Sequence, residues 1–326
     1  MTVRIQRSML ILPTHNSRFV EKAHLRGADA VVLDLEDSVP VSEKGRARNL
    51  IGESVRAVKR GGADVLVRVN PEEPLLHLDL EAAVQPGVHA IFLPKVETPQ
   101  HVQDVEDAIL TLERERNLEE GLIKLALHVE SPLGILNMRD LAAAGARVES
   151  MSIGVDDYCF SLGIEPSDEG QELLLPLTML VIACSTARIS PLGILGSVGE
   201  FSDLERFEDA AVRARNLGCK GAYCIHPSQV PILNRVFSPP PVQVGHAKRA
   251  VTAFEKGLEE GRAAVNLDGR MIDTPIYKRA KQILERAEAI EALERTKREA
   301  LRHPGERVQQ AKPAIVERIK SGSEPD

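Results

Sequence analysis

The sequence predicts a (β/α)8 barrel of the TIM type with a C-terminal helical extension. Three observations carry that prediction: eight short apolar runs, helix-like stretches between them, and polar or ionisable residues gathered just after the runs. The runs fall at 9–12, 30–35, 65–69, 90–93, 125–129, 151–155, 189–194 and 222–225. Most are rich in Val, Ile and Leu without clean alternation, the composition of parallel strands covered on both faces. Helical patterning at 102–112, 173–187 and 204–217 separates several of them. Eight strands alternating with helices fit a closed barrel, with an open doubly wound sheet as the competing architecture.

The strand ends decide between the two. The second run ends in Asp34-Leu35-Glu36-Asp37 and the third in Arg68-Val69-Asn70. The fourth leads into Pro94-Lys95-Val96-Glu97, the fifth into Glu130, the sixth into Asp156-Asp157 and the eighth into His226-Pro227. Barrel enzymes build their sites at these C-terminal strand ends. No GxGxxG follows the first run, so a dinucleotide fold has no support. The stretch from Gly193 to Gly199 lacks the Lys-Ser/Thr of a P-loop and reads as a tight loop or a source of backbone N–H groups near a ligand.

Composition narrows the function classes. With 326 residues, 43% hydrophobic and 27% charged, the chain can bury a large core. A net charge of −7, 3% aromatic residues and no Trp argue against a nucleic-acid binder, which needs basic surface and stacking rings. The four cysteines Cys159, Cys184, Cys219 and Cys224 form no CxxC pair and read as buried free thiols in a reducing compartment. No signal-peptide h-region and no membrane-length apolar run is visible, so a cytoplasmic protein without membrane partners is expected.

Residues 1–240 are expected to form the catalytic barrel. Ser238-Pro239-Pro240-Pro241 stops any helix there, and helical pattern resumes at about 244–258. A turn-rich excursion at 266–275 precedes a long charged helix at about 276–301. Residues 241–302 are thus read as a helical extension that packs on the barrel or on a neighbouring subunit, and 303–326 as a polar, loosely held tail.

Several segments together resemble the citrate lyase β-subunit-like group of the HpcH/HpaI aldolase superfamily, which includes malyl-CoA and citramalyl-CoA lyases. They are Arg7-Ser-Met-Leu-Ile-Leu-Pro13, Glu21-Lys-Ala23, Ala28-Asp-Ala-Val-Val-Leu-Asp-Leu-Glu-Asp-Ser-Val39 and Arg68-Val-Asn70. Further matches are Leu93-Pro-Lys-Val-Glu97, His128-Val-Glu-Ser-Pro-Leu-Gly134, Gly154-Val-Asp-Asp157, Cys224-Ile-His-Pro-Ser-Gln229 and Asp268-Gly-Arg-Met-Ile-Asp-Thr-Pro275. They span residues 7 to about 290 in the family's order. The resemblance implies a (β/α)8 barrel, dependence on Mg2+ with Mn2+ as a substitute, and assembly as a homotrimer or homohexamer. It also implies a carbon–carbon lyase that cleaves or forms a β-hydroxyacyl-CoA such as malyl-CoA or citramalyl-CoA by a retro-Claisen route. Three alternatives stand beside it: a thioesterase on such esters, a CoA-independent class II aldolase for hydroxy-oxo acids, and a non-catalytic binding relative.

By the same resemblance Glu130 and Asp157 are the metal ligands. Mg2+ takes one or two carboxylates and keeps waters or substrate oxygens in its other positions, and acids on adjacent strand ends can converge on it. Arg68 matches the family's substrate arginine, with an ion pair to Glu36 or Asp37 as its structural alternative. Glu36 and Asp37 would orient Arg68 and metal-bound water, or cap the helix after the second strand. Asp273 matches a C-terminal acid that moves protons in a neighbouring subunit's site; its alternative is to cap the long helix. Lys22 matches a residue that meets CoA phosphates, and Arg18 stands in for an arginine that the family carries where this chain has Asn16.

Overall fold

The computed structural model describes residues 4–199 and 201–302. Eight parallel strands occur where the eight runs predict them: β1 (Ser8–Pro13), β2 (Ala30–Asp34), β3 (Asp64–Arg68), β4 (Ala90–Leu93), β5 (Lys124–Val129), β6 (Val148–Ile153), β7 (Ser190–Leu192) and β8 (Ala222–Cys224). They pair in the order β7-β6-β5-β4-β3-β2-β1-β8. A parallel bridge from Leu192 to Gly221, and a Gly193 N–H that donates to the Gly221 carbonyl at 2.9 Å, close the ring. Gly221 is required there, because a Cβ would sit 1.7 Å from the Gln6 carbonyl oxygen. The open-sheet alternative is thereby excluded.

Helices surround the ring: α1 (Ser17–Ala23), α2 (Lys44–Lys59), α3 (Leu75–Ala83), α4 (Pro99–Glu115), α5 (Pro132–Ala142), α6 (Val155–Leu162), α7 (Gln171–Ala187), α8 (Leu204–Leu217) and α9 (Gln229–Val236). Their starts follow from local chemistry. Thr98 and Ser131 accept the His101 and Gly134 N–H groups, and Pro99 and Pro132 occupy the first helical turn, where a missing N–H costs nothing. Ser131 directly follows Glu130, so the α5 cap fixes the chain at the end of β5.

Side-chain parity sorts the core into two parts. Val31, Leu33, Val65, Val67, Ile91, Leu93, Leu125 and Leu127 face outward and pack on the helices with Ile51, Val55 and Ile109. The alternate positions Met9, Ala30, Val32, Leu66, Ala90, Phe92, Ala126, Leu192 and Tyr223 form a separate plug inside the ring. Burying a side chain of the Phe92 type contributes about 1.5–3 kcal/mol, and the plug seals the barrel below the site. One residue pair further along the same inward stripes the composition changes. Val32 is followed by Asp34, Leu66 by Arg68, and Ala126 by His128 and then Glu130. The register places Asp34 beside Arg68, and His128 beside Ser152.

After β8 the chain forms α10 (Pro241–Glu259), a hairpin of β9 (Val265–Leu267) and β10 (Arg270–Ile272), and α11 (Thr274–Arg302). The proline cluster does end a helix, but Pro241 itself starts the next one. It supplies the first-turn proline that a helix tolerates, so α10 begins earlier than the expected 244. Ala247, Ala250, Phe254, Ile272 and Ala280 make a small core of their own. α11 then runs under the N-terminal end of the barrel, where Lys297 donates to Asp29 Oδ1 at 2.8 Å and Arg286 to the Lys220 carbonyl at 2.7 Å. The polar tail expected at 303–326 lies outside the described residues. All four cysteines are buried and free. Among the described residues no helix is long and apolar enough to cross a membrane.

Candidate active site

The C-terminal mouth of the barrel holds a cavity of about 330 Å3. Arg68, His128, Glu130, Gly154, Asp156 and Asp157 line it, with Ser38, Ile11 and Tyr223 among the rest. Three of the expected site residues therefore meet: Arg68, Glu130 and Asp157.

Asp34, at the end of β2, is the anchor of Arg68. Its Oδ1 and Oδ2 accept from Arg68 Nε and Nη2, both at 2.6 Å, in a bidentate fork. The same carboxylate accepts the Glu36 N–H at 2.9 Å, the Ser38 N–H at 3.1 Å and the Ser38 hydroxyl, which tightens the loop after β2. Against the cost of burial, Arg68 holds the Asp34 carboxyl below the ordinary carboxylate range. Glu36 comes next, its Oε2 3.0 Å from Arg68 Nη1 and its Oε1 2.8 Å from Lys95 Nζ.

Asp37 departs from expectation. It makes no ion pair with Arg68 and lies 3.5 Å from Lys95, with 56% of its side chain exposed. The residues that orient Arg68 are Asp34 and Glu36, because parity turns positions 34 and 36 inward and 37 outward. No helix-cap hydrogen bond from Glu36 or Asp37 is formed either; Lys44 instead ties the loop by donating to the Leu35 and Glu36 carbonyls and to Asn70 Oδ1.

Lys95 was not singled out by sequence. It stands at φ 53°, a left-handed conformation that costs a non-glycine residue about 1 kcal/mol. Against the cost of burial, Glu36 and Asp37 hold its ammonium above the ordinary lysine range.

Glu130 is buried, with one oxygen, Oε2, lacking any hydrogen-bond partner. Its Oε1 lies 3.3 Å from His128 Nε2. Burial, then the Glu36 and Asp157 charges, push its carboxyl up to about 8. His128 is itself packed on Phe92 and Tyr223, with ring centroids at 4.9 and 5.8 Å, and shares a 2.6 Å hydrogen bond between Nδ1 and Ser152 Oγ. Burial, then Arg68 and Lys95, lower its imidazole to about 3, so the ring is neutral. Gly154 gives these groups room: a Cβ there would lie 2.6 Å from Glu130 Cγ and 2.8 Å from His128 Nε2. Asp156 and Asp157 follow in the first turn of α6, where the helix dipole favours carboxylates. Asp156 accepts from Ser197 Oγ at 2.8 Å, whereas Asp157 is exposed to the cavity.

The donor set fits a divalent cation of the Mg2+ type. An unpaired buried carboxylate oxygen and a second carboxylate at the same cavity are hard ligands in want of positive charge. Among the described residues no group of three or more His, Cys, Asp or Glu side chains converges on one point.

The remaining expected residues lie elsewhere. Arg18 and Lys22 are four apart on α1, both exposed, on the helix that leaves the mouth after β1. Asp273 does not line the cavity of its own chain. Its Oδ1 accepts the Ile276 N–H at 3.2 Å and caps α11, the alternative its sequence context offered.

Comparison with known proteins gives consistent results. The family model described as HpcH/HpaI aldolase/citrate lyase matches residues 7–227. Citrate lyase subunit beta of Escherichia coli (strain K12) is 35% identical over 286 residues, covering 87% of this chain and 94% of that protein. L-malyl-CoA/beta-methylmalyl-CoA lyase of Rhodobacter capsulatus is 31% identical over 306 residues, covering 87% and 95%. Among solved structures, CitE from Mycobacterium tuberculosis in complex with magnesium, acetoacetate and coenzyme A superposes with a TM-score of 0.68 at 24% identity, covering 88% of this chain and 100% of that one. A citrate lyase from Burkholderia xenovorans LB400 superposes with a TM-score of 0.75 at 19% identity, covering 89% and 93%. At those identities the superpositions speak for the fold alone.

Proposed function

The chain belongs to the HpcH/HpaI aldolase/citrate lyase family and is a carbon–carbon lyase, and from that premise we propose that it cleaves or forms a β-hydroxyacyl-CoA such as malyl-CoA or citramalyl-CoA with Mg2+ at Glu130 and Asp157. The observation that carries this reading is the buried, unpartnered Oε2 of Glu130, held in one cavity with Asp157 and Arg68. Mg2+, when bound, supplies the positive charge that stabilises an oxygen on which negative charge develops.

This chain's residues do the rest. Arg68 has five N–H donors, and Asp34 engages two of them. Arg68 lines the cavity, and a guanidinium there suits the carboxylate of an oxo-acid fragment. Glu36 and Lys95 brace that arginine and its surroundings. In the cleavage direction the β-hydroxyl loses its proton and the Cα–Cβ bond breaks, releasing glyoxylate or pyruvate. The electron pair passes to the thioester carbonyl, and the resulting enolate takes a proton at its α-carbon. The proton carrier we assign is Asp273 of a second copy, since Asp273 does not line its own cavity, and the site would then be complete only in a homotrimer or homohexamer. Arg18 and Lys22, exposed on one face of α1, are the groups proposed to meet CoA phosphates. A barrel at 1–240 with 241–302 serving the neighbouring site is the corresponding division of labour.

A panel of malyl-, citramalyl- and methylmalyl-CoA with Mg2+, read by product identity, tests the reading. Release of acyl-CoA together with glyoxylate or pyruvate is expected; free CoA without an oxo acid would make it a thioesterase. Asp157→Asn should weaken Mg2+ binding in calorimetry by 10-fold or more, of the order seen when a ligand shell is damaged. Unchanged affinity would remove Asp157 from the metal site.

A further inference from the structure

At the opposite end of the barrel, between the N-terminal strand ends and α11, runs a groove whose charge opposes that of the chain. A cavity of about 790 Å3 and an adjoining one of about 370 Å3 share Lys220, Gln282 and Arg286 as walls. Lys124 and Arg188 line the larger, Arg215 and Arg279 the smaller. None of these six cations has a carboxylate partner among the described residues. Arg4 and Arg147, also on the wall, are already neutralised by Asp64 and Glu113. The acids on the lining are Glu149, which is engaged by Gln6 Nε2 at 2.9 Å and His89 Nε2 at 2.7 Å, and Glu285. In a chain of net charge −7, such a surplus of unpaired cations in one cleft needs a cause.

The cations are also placed, not merely present. Arg286 Nη2 donates to two carbonyl oxygens, of Lys220 at 2.7 Å and Phe237 at 3.1 Å, which holds the guanidinium at the junction of the cavities without neutralising it. Arg188 ends α7 as its left-handed cap, at φ 61°, and lines the groove from there. Burial, then repulsion from Arg7, lowers Arg286 to about 10. Lys220 keeps contact with solvent, yet the protein packed around it and the nearby Arg286 pull its ammonium below the ordinary range. Like charges that depress one another in this way are relieved by an entering anion.

We propose that this groove is a second binding site, separate from the mouth, for a small molecule carrying two or more clustered negative charges. Planar arginine forks on several sides suit phosphate or carboxylate oxygens alike. Among the described residues no exposed aromatic ring lines the groove to stack on bases, which favours a compact polyanion over single-stranded nucleic acid.

The test is calorimetry of the full chain at low ionic strength without Mg2+, with tripolyphosphate and citrate as the two probes. At least one probe should bind at one site per chain, and a preference between them supports the site and names its chemistry. Affinity should fall at least tenfold in the double variant Lys124→Gln with Arg188→Gln. These side chains bond to nothing in the described structure, so the fold is not at stake. Arg286→Gln should lose more, and circular dichroism will report whether its carbonyl contacts were needed for folding. The double variant Arg18→Gln with Lys22→Gln removes the proposed CoA-phosphate groups at the mouth, and the groove should still bind the probe at one site per chain in that background. Failure of both probes to bind overturns the proposal, as does binding that survives the Lys124/Arg188 change or vanishes with Arg18 and Lys22. Measured in the Arg18→Gln, Lys22→Gln background, the outcome is independent of the lyase reading, which concerns the other end of the barrel.

Discussion

Two buried charge clusters sit at opposite ends of the same barrel, and they are built on opposite terms. At the floor, Asp29 Oδ1 accepts from Arg7 Nη2 and Lys297 Nζ, both at 2.8 Å, and Oδ2 from the Arg7 N–H and Nε, both at 2.8 Å. Glu294 receives the same arginine and lies 3.1 Å from Lys297. Two acids meet two bases, every Asp29 lone pair is used, and α11 is clipped to the barrel. At the mouth, the buried acids Asp34, Glu36 and Glu130, with the exposed Asp157 at the same cavity, have Arg68 and Lys95 as the nearby cations among the described residues, and one Glu130 oxygen bonds to nothing. A cluster that is satisfied holds a structure together; one left short of positive charge is kept that way for something that arrives later.

The sharpest test of the contrast is Glu130→Gln. Turnover should fall by at least about 10^3-fold, roughly 4 kcal/mol of transition-state stabilisation. Stability should hold or rise, because glutamine is free of the cost that burial sets on ionising Glu130. A large drop in the chemical-denaturation midpoint would break the comparison. The converse variant is Asp29→Asn. It leaves Arg7 and Lys297 under-compensated and should cost about 3 kcal/mol of unfolding free energy, with kcat/KM of the folded fraction little changed.

The two ends should also answer pH with opposite signs. Against burial, Arg7 and Lys297 hold the Asp29 carboxyl below its ordinary value. Its contribution is therefore fully present above the unfolded pKa, near 4, and is lost as pH falls through the lower folded value. The stability gap between parent and Asp29→Asn should close in acid. Glu130 is raised to about 8 by burial and then by Glu36 and Asp157. In a chelator, folding then favours its protonated form, and stability should decline as pH rises from about 4.5 towards 8. Mg2+ or Glu130→Gln should remove that decline. A parent and variant that run parallel over this range would refute the assignment of the shift to Glu130.

How much of this was legible in the sequence depends on how local each feature is. All eight strands were, because an apolar run bounded by polar residues reports its own burial. The sixth was displaced towards 155 because Val155, apolar like a strand residue, belongs to α6, whose start Gly154 marks. Arg68 and Glu130 were singled out and line one cavity, while Asp34, Lys95 and His128 stood in the quoted segments without a role. Asp34 and His128 had a usable signal, since each lies two residues beyond an inward plug residue on its own strand. The same parity would have warned against Asp37. Lys95 stood only as a charged residue after the fourth run, and its approach to Glu36 across the strands is encoded by no local pattern. Asp273 marks the other limit, for a residue proposed to act in another copy cannot be placed by the geometry of one chain.

The remaining predictions grade that parity argument. Gly154→Ala drives a Cβ to 2.6 Å from Glu130 Cγ. It should displace the carboxylate and cost about 10–100-fold in Mg2+ affinity, as loss of a supporting contact typically does. Asp37→Ala should do far less. The residue lies on the outward phase of the loop, mostly in solvent, and touches Lys95 only at 3.5 Å. An exposed pair of that kind contributes about 0–1 kcal/mol, so turnover should stay within about threefold of the parent. Glu36→Ala, one position earlier and facing inward, should cost much more, because it removes a shared partner of Arg68 and Lys95. If the two variants were equally impaired, the mouth would be reading charge rather than contact, and the inward stripe would no longer separate the residues that build the site from those that merely stand near it.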